Sequence, residues 1–154
     1  MDAPFWSTPK PLVERMLDLS GLGPGELLID LGCGDGRIPI AAARRGARAL
    51  GVDIDSARIA EAEAAAARAG VAGRAVFRNE DLFATRLDEA DVVTLYLLPL
   101  LNLLLRPRLV AELRPGSRVL SHDFPMPDWE AAAHDVLDGR RIFLWIVPAV
   151  AGGT

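Results

Sequence analysis

The segment Leu28-Ile29-Asp30-Leu31-Gly32-Cys33-Gly34-Asp35-Gly36-Arg37 constrains the fold of this chain more than any other. An apolar run enters a turn with glycine at every second position, and an alanine-rich stretch follows. Glycine lets the backbone turn sharply and lets a ligand approach without a Cβ in the way. A helix that starts there offers unpaired N–H groups and the positive end of its dipole. Strand, ligand-binding turn and helix are the opening unit of an α/β sheet.

The rest of the chain continues the alternation. Residues 1–10 hold Pro4, Ser7 and Pro9 beside Phe5 and Trp6 and read as an ordered arm. Residues 11–19 have helical spacing at Leu12, Met16 and Leu19, with Pro11 suited to a first turn. Strands are predicted over 26–31, 48–52, 75–78, 91–96 and 117–122, and helices over 35–45, 56–69 and 100–113. Pro107 is expected to kink or divide the last of these helices. Residues 127–137 read as a short helix, which would place His134 on a solvated helical surface. Residues 141–147 read as a final strand, antiparallel and at an edge. Strands that alternate with helices imply a mostly parallel, doubly wound α/β sheet whose ligand site lies at the strands' C-terminal ends.

At 154 residues the chain suits one domain, with residues 1–20 as an arm and helix over the ligand site. No apolar run approaches the ~20 residues needed to span a bilayer; residues 95–105 are broken by Pro99 and Asn102. Residues 1–10 lack a charged start followed by an apolar core, so a cytoplasmic location is expected. The formal net charge of −4 argues against a nucleic-acid partner, since phosphate neutralisation needs a basic face. The single cysteine, Cys33, rules out an internal disulfide and a multi-cysteine metal site, so no metal is expected.

Two cofactor classes use a strand–glycine–helix turn. A dinucleotide site wants G-x-G-x-x-G, and counted from Gly32 its third glycine is here Arg37. The glycines instead fall at 32, 34 and 36, with Asp30 two residues before the first. A carboxylate there repels a pyrophosphate but suits a cation such as the α-amino end of S-adenosylmethionine. Asp53, about 20 residues past the turn, sits where a carboxylate can accept from both ribose hydroxyls. Ile54 would pack on the adenine face, and Asp81, after the third strand, could accept from the adenine amino group. Taken alone, Asp81 is as well explained as a turn residue, and Asp55 reads as a helix cap. Cys33 reads as a small residue accommodated in the turn rather than a nucleophile.

The motifs Asp30-Leu31-Gly32-Cys33-Gly34-Asp35-Gly36-Arg37 and Gly51-Val52-Asp53-Ile54-Asp55 resemble those of class I methyltransferases. With Pro4-Phe5-Trp6-Ser7-Thr8-Pro9, residues 91–99 (DVVTLYLLP) and Ser121-His122-Asp123-Phe124, the whole chain is similar to small bacterial and archaeal protein-lysine methyltransferases. Those are related to the mitochondrial enzymes that modify ATP synthase subunit c and the adenine nucleotide translocase. The resemblance implies a Rossmann-like sheet of seven strands, of which the sequence displays about six. It also implies bound S-adenosylmethionine held by Asp30, Gly32, Cys33, Gly34, Gly36, Asp53, Ile54, Asp81 and Thr8.

Transfer to a lysine amine needs alignment behind an already activated methyl group and surroundings that favour the neutral amine. On that reading Tyr96 and Pro99 leave the fourth strand beside the sulfonium, and Tyr96 offers a ring face or a hydroxyl to the amine. Asp123 could orient the ammonium and His122 accept a proton, although His122 reads equally well as a hydrogen-bonded strand-end residue. Trp6 and Thr8 either close over the cofactor or staple the arm to the body; Trp129 and Trp145 read as packing. The turn after the fourth strand lacks the amide and double proline that go with methylation of base amines. A small-molecule N- or O-methyltransferase, a non-catalytic cofactor-binding module and a nicotinamide dehydrogenase are the competing readings.

Overall fold

The computed structural model describes residues 7–149. It contains α1 (Lys10–Ser20), β1 (Leu27–Leu31), α2 (Arg37–Arg44), β2 (Arg48–Asp53), α3 (Ser56–Arg68) and β3 (Ala75–Asn79). A 3₁₀ turn (Leu82–Ala84), β4 (Val92–Leu95), α4 (Pro99–Glu112), β5 (Arg118–His122), β6 (Ala133–Leu137) and β7 (Arg140–Ile146) follow. The strands form one seven-stranded sheet in the order β3-β2-β1-β4-β5-β7-β6. The first five strands run parallel, and β7 is antiparallel to both β5 and β6.

Alternation along β1 divides the core between the two faces of the sheet. Leu28 joins Leu12, Met16 and Leu17 of α1 and Ile38 and Ala42 of α2. Ile29 and Leu31 face Leu105 and Leu109 of α4, with Trp145 of β7. A third cluster packs Ile40 and Ala43 of α2 on Ile59, Ala62 and Phe77.

Three expectations change here. Residues 127–137 do not form a helix: Ala133–Leu137 is a strand, and it supplies the seventh strand that the sequence hid. His134 accordingly lies on a strand, exposed and stacked on Phe143 with ring centroids 5.8 Å apart. Helix propensity in Ala131-Ala132-Ala133 loses to a two-residue hairpin, in which Asp138 (φ 52°) and Gly139 (φ 75°) join β6 to β7. Positive φ at both central positions matches the twist of paired strands, and Asp-Gly is the sequence that accepts it most readily. The last strand is antiparallel as expected but lies inside the sheet, with β6 at the edge. Finally, Pro107 does not divide α4, which runs unbroken from Pro99 to Glu112. Pro107 lies on the exposed side, where solvent can satisfy the carbonyl that loses its N–H partner.

Among the described residues no helix is long and apolar enough to cross a membrane. None of their His, Cys, Asp and Glu side chains cluster in groups of three or more that could hold a metal ion.

Candidate active site

The C-terminal ends of β1, β2, β4 and β5 converge on the glycine turn. Gly32 N–H and Cys33 N–H both donate to the Val52 carbonyl, at 2.9 and 2.8 Å, which fastens the turn to β2. Gly34 N–H donates to Asp53 Oδ2 at 2.9 Å, and Asp53 Oδ1 accepts from Asp55 N–H at 2.9 Å. Each carboxylate oxygen keeps a further lone pair for a hydroxyl. Beside Asp53 the side chain of Ile54 is 77% exposed, an isolated apolar surface at the strand end.

Two of the turn glycines, Gly32 and Gly36, have different reasons for being glycine. Gly32 has φ +87°, and a Cβ there would make only ordinary van der Waals contact, its nearest neighbour being Leu97 Cδ2 at 3.7 Å. Gly36 has φ +83°, and a Cβ there would lie 2.8 Å from Ala62 Cβ and 2.9 Å from the Phe77 ring. Gly36 thus lets α2 approach α3 closely, while Gly32 keeps the cavity side of the turn clear. Cys33 is buried, and burial raises its thiol pKa well above the ordinary range, which suits an inert space-filler.

Asp30 is 4% exposed and pairs in register with Thr94, whose Oγ1 donates to Asp30 Oδ1 at 2.8 Å. Burial pushes its carboxyl up to about 7; the Thr94 hydrogen bond opposes that, and the charges of Asp53 and Asp35 add to it. It borders a cavity of about 20 Å³ whose wall includes Thr8, Gly32, Cys33, Asp35 and Tyr96. A buried carboxylate among other acids, with a hydroxyl as its hydrogen-bond partner, is completed by a cation. The donor set therefore fits the ammonium end of S-adenosylmethionine. Asp53 and Ile54 fit its ribose and adenine.

Asp81 is exposed and caps the 3₁₀ turn, accepting from Phe83 N–H at 2.9 Å. Asp55 caps α3 as expected, accepting from Ala57 N–H at 2.9 Å.

On the far side of the cavity the Tyr96 ring stacks on His122 at 3.9 Å between centroids. His122 is fully buried, and Thr8 Oγ1 lies 3.0 Å from its Nδ1. Arg140 Nη1 approaches Nε2 at 3.3 Å. A guanidinium only donates, so Nε2 accepts and the proton of the neutral ring sits on Nδ1, donating to Thr8. Burial lowers the His122 pKa to about 4; Asp123 opposes the shift and Arg140 adds to it. Both ring nitrogens are engaged and the ring is a weak base, which suits orientation better than proton acceptance. Asp123 stands at φ 63° with Oδ1 bound to Arg141 N–H at 2.9 Å. Pro99 is exposed and opens α4 in its first turn. Trp129 and Trp145 pack together at 5.8 Å, and Trp145 Nε1 donates to the Trp129 carbonyl at 2.7 Å.

Residues 4–6 of the arm, including Trp6, lie outside the described residues. Thr8 does join the arm to the site. The Arg37 guanidinium donates to its carbonyl at 3.1 Å while forming a fork with Asp35 at 2.6 and 3.0 Å. Sequence reasoning used Arg37 only as a departure from a third glycine and missed this latch, along with Arg140. Nothing local marks Arg140, because β6, the strand whose hairpin with β7 delivers it, was read as part of a helix. A concavity of about 970 Å³ lies over α1, α2 and α3 and reaches Asp35 and Arg37 of the glycine turn.

The family model described as ANTKMT methyltransferase domain matches residues 30–133. The chain is 43% identical over 128 residues to a protein-lysine N-methyltransferase of Saccharolobus islandicus (strain REY15A), covering 82% of this chain and 80% of the relative. It is 35% identical over 134 residues to the adenine nucleotide translocase lysine N-methyltransferase of Mus musculus, covering 86% of this chain but only 58% of that protein. Among solved structures, an RNA methyltransferase from Salinibacter ruber in complex with S-adenosyl-L-homocysteine superposes with a TM-score of 0.91 at 47% identity. That match covers 93% of this chain and 94% of the other. With the glycine turn and the seven-stranded sheet, these matches establish that the chain belongs to the ANTKMT methyltransferase domain family of S-adenosylmethionine-dependent methyltransferases.

Proposed function

We propose that this methyltransferase acts on lysine side chains of proteins. The observation that carries the reading is the aromatic wall opposite Asp30, where the Tyr96 ring lies on a buried, neutral His122 whose Nε2 faces Arg140 and Asp123. A lysine nitrogen attacks only after losing its proton, and stacked rings that exclude water favour the neutral amine. The protein's remaining task is alignment. The similarity to the Saccharolobus protein-lysine N-methyltransferase supports the same substrate class.

In this reading Asp30 orients the cofactor's ammonium, and the turn 32–36 supplies a backbone that approaches it closely. Asp53 holds the ribose, Ile54 covers the adenine, and Asp81 accepts from its amino group. The cofactor supplies an electrophilic methyl group. Thr8 closes the pocket through Arg37 and His122, Tyr96 meets the amine, and Asp123 receives the incoming ammonium at the pocket's entrance. Residues 1–154 act as one catalytic unit, in the cytoplasm.

An RNA acceptor is the second reading, favoured by the printed name of the Salinibacter relative. The net charge of −4 weighs against it, as does the neutralisation of Arg37 by Asp35 beside the site. One experiment separates the two. The protein is incubated with methyl-labelled S-adenosylmethionine and a cell extract, with Asp30→Ala as control. Protease-sensitive macromolecular label that acid hydrolysis returns as methyl-lysine is the expected result. Nuclease-sensitive label would move the substrate to RNA, and label confined to small molecules would move it to a metabolite.

A further inference from the structure

His122, Asp123 and Phe124 make a three-residue turn in which Phe124 N–H donates to the His122 carbonyl at 2.8 Å, with Asp123 between them at φ 63°. This is the rarer, strained hand of such a turn for a residue with a Cβ. Strain of that kind persists only where the surroundings over-determine it, and it gathers at functional sites.

Two sets of bonds hold it. From β7, Arg141 takes the N–H, the carbonyl and Oδ1 of Asp123, while Oδ2 lies 3.5 Å from His122 Nε2. The Arg141 carbonyl accepts from Asp123 N–H at 2.7 Å, its own N–H donates to Oδ1 at 2.9 Å, and its Nη2 donates to the Asp123 carbonyl at 2.7 Å. From the other side the Phe124 carbonyl accepts from Ser121 Oγ at 2.6 Å and from Asn102 Nδ2 at 3.2 Å. Asn102 Nδ2 also reaches the Pro125 carbonyl at 3.5 Å.

Asn102 is an unexpected residue for this position. It is fully buried in α4, a helix whose other buried side chains are Leu105 and Leu109. Its Oδ1 is the one buried side-chain polar atom without a hydrogen-bond partner among the described residues. The two carbonyls it faces fix the amide's orientation, since only the nitrogen can donate to them. A buried amide that satisfies its nitrogen and orphans its oxygen weakens the fold relative to an apolar side chain of the same shape. What the residue secures is the turn. The turn sets two rings beside Tyr96, that of His122 at 3.9 Å and that of Phe124 at 6.1 Å.

We propose that Asn102 and Ser121 are positioning residues for methyl transfer, clamping the Phe124 carbonyl so that the strained turn at Asp123 holds His122 and Phe124 against Tyr96 on the acceptor side of the site. The inference rests on the lysine reading for its acceptor and on hydrogen bonds alone for its geometry.

The test uses Asn102→Leu, Ser121→Ala and the double variant of the full chain. Cofactor affinity by calorimetry should stay within about twofold of the parent, because neither residue borders Asp30, Asp53 or the glycine turn. The turnover number on the extract proteins that accept label should fall about tenfold or more in Asn102→Leu, with KM for the cofactor unchanged, as loss of alignment requires. The double variant should fall by less than the product of the two single effects, since both donors serve one carbonyl. The carbon-bound ring proton signals of His122, shifted by the Tyr96 ring current, should move in both single variants, a readout independent of any substrate. Unchanged turnover together with unchanged His122 signals overturns the proposal. So does a loss of cofactor affinity that parallels the loss of turnover, since that reports general damage. If Asn102→Leu fails to fold, the same criteria are applied to Ser121→Ala alone. If the parent labels no protein while the His122 signals move in the single variants as expected, the lysine reading fails and the clamp stands.

Discussion

Asp30 carries opposing demands within one side chain. Its carboxyl is held up to about 7 in the ligand-free protein, whereas a cationic ligand needs it ionised. Cofactor binding should therefore release a proton, and the dissociation constant should tighten about tenfold between pH 6 and pH 8. Calorimetry in buffers of different ionisation enthalpy checks this, and Asp30→Asn should bind weakly with no such dependence. The stability effect has the opposite sense. The folded carboxyl keeps its proton from 3.8 up to about 7 while the unfolded one loses it, so ligand-free stability falls as pH rises through that window. Asp30→Asn should then be more stable than the parent at pH 8, by roughly 2 kcal/mol in denaturant titrations. His122 works at the acid end. Its pKa is lowered from 6.5 to about 4, so the unfolded chain takes up a proton that the folded protein refuses. Stability should fall as pH drops from 6.5 toward 4, by at most about 3 kcal/mol, and melting curves of a His122→Asn variant should lose that slope. The glycine turn and its flanking acids were legible in the sequence because their signal is local: glycines at fixed offsets and an acid at a strand end. Thr8, His122 and Arg140 meet only through the tertiary fold, across 114 residues in the first pair, and spacing carries no trace of such a meeting.

At the scale of elements, the alternation of strand and helix was readable wherever burial and propensity agree. The β6–β7 hairpin is where they part. Its decisive signal, Asp138-Gly139, is two residues long, while the preceding alanines spread a helical preference over a longer window. Pairing with β7 decides the outcome, since Ala133 to Leu137 register on Leu144 to Arg140. The α2–α3 contact shows the reverse case, in which a motif residue assigned to a ligand serves packing as well. A Gly36→Ala substitution combines a left-handed backbone with contacts of 2.8 Å to Ala62 and 2.9 Å to Phe77. Forced φ and overpacking together should destabilise the fold by about 3 kcal/mol, visible as a drop in melting temperature. Gly32→Ala keeps the strain of φ +87° but meets only an ordinary contact at 3.7 Å, so its stability cost should be smaller and its cofactor affinity the more affected.

Across the whole molecule, the sheet is closed by a strand that arrives out of turn. β7 lies between β5 and β6, and Trp145 on it is buried against β5 while its indole N–H ties down the Trp129 carbonyl at 2.7 Å. Trp145→Ala should cost about 3–5 kcal/mol and loosen residues 123–132, which hydrogen exchange would report as lost protection there. The sequence displayed Trp145 as packing but gave no sign that its strand sits inside the sheet, because strand order is a long-range property. The same placement bears on how the protein is made. During synthesis β1 to β5 emerge and can pair in parallel, yet β5 keeps one bare edge until residues 140–146 leave the ribosome. An exposed strand edge is a template for pairing with another chain. The interval between the emergence of β5 and that of β7 is therefore the stretch of translation in which this protein most needs a chaperone's cover.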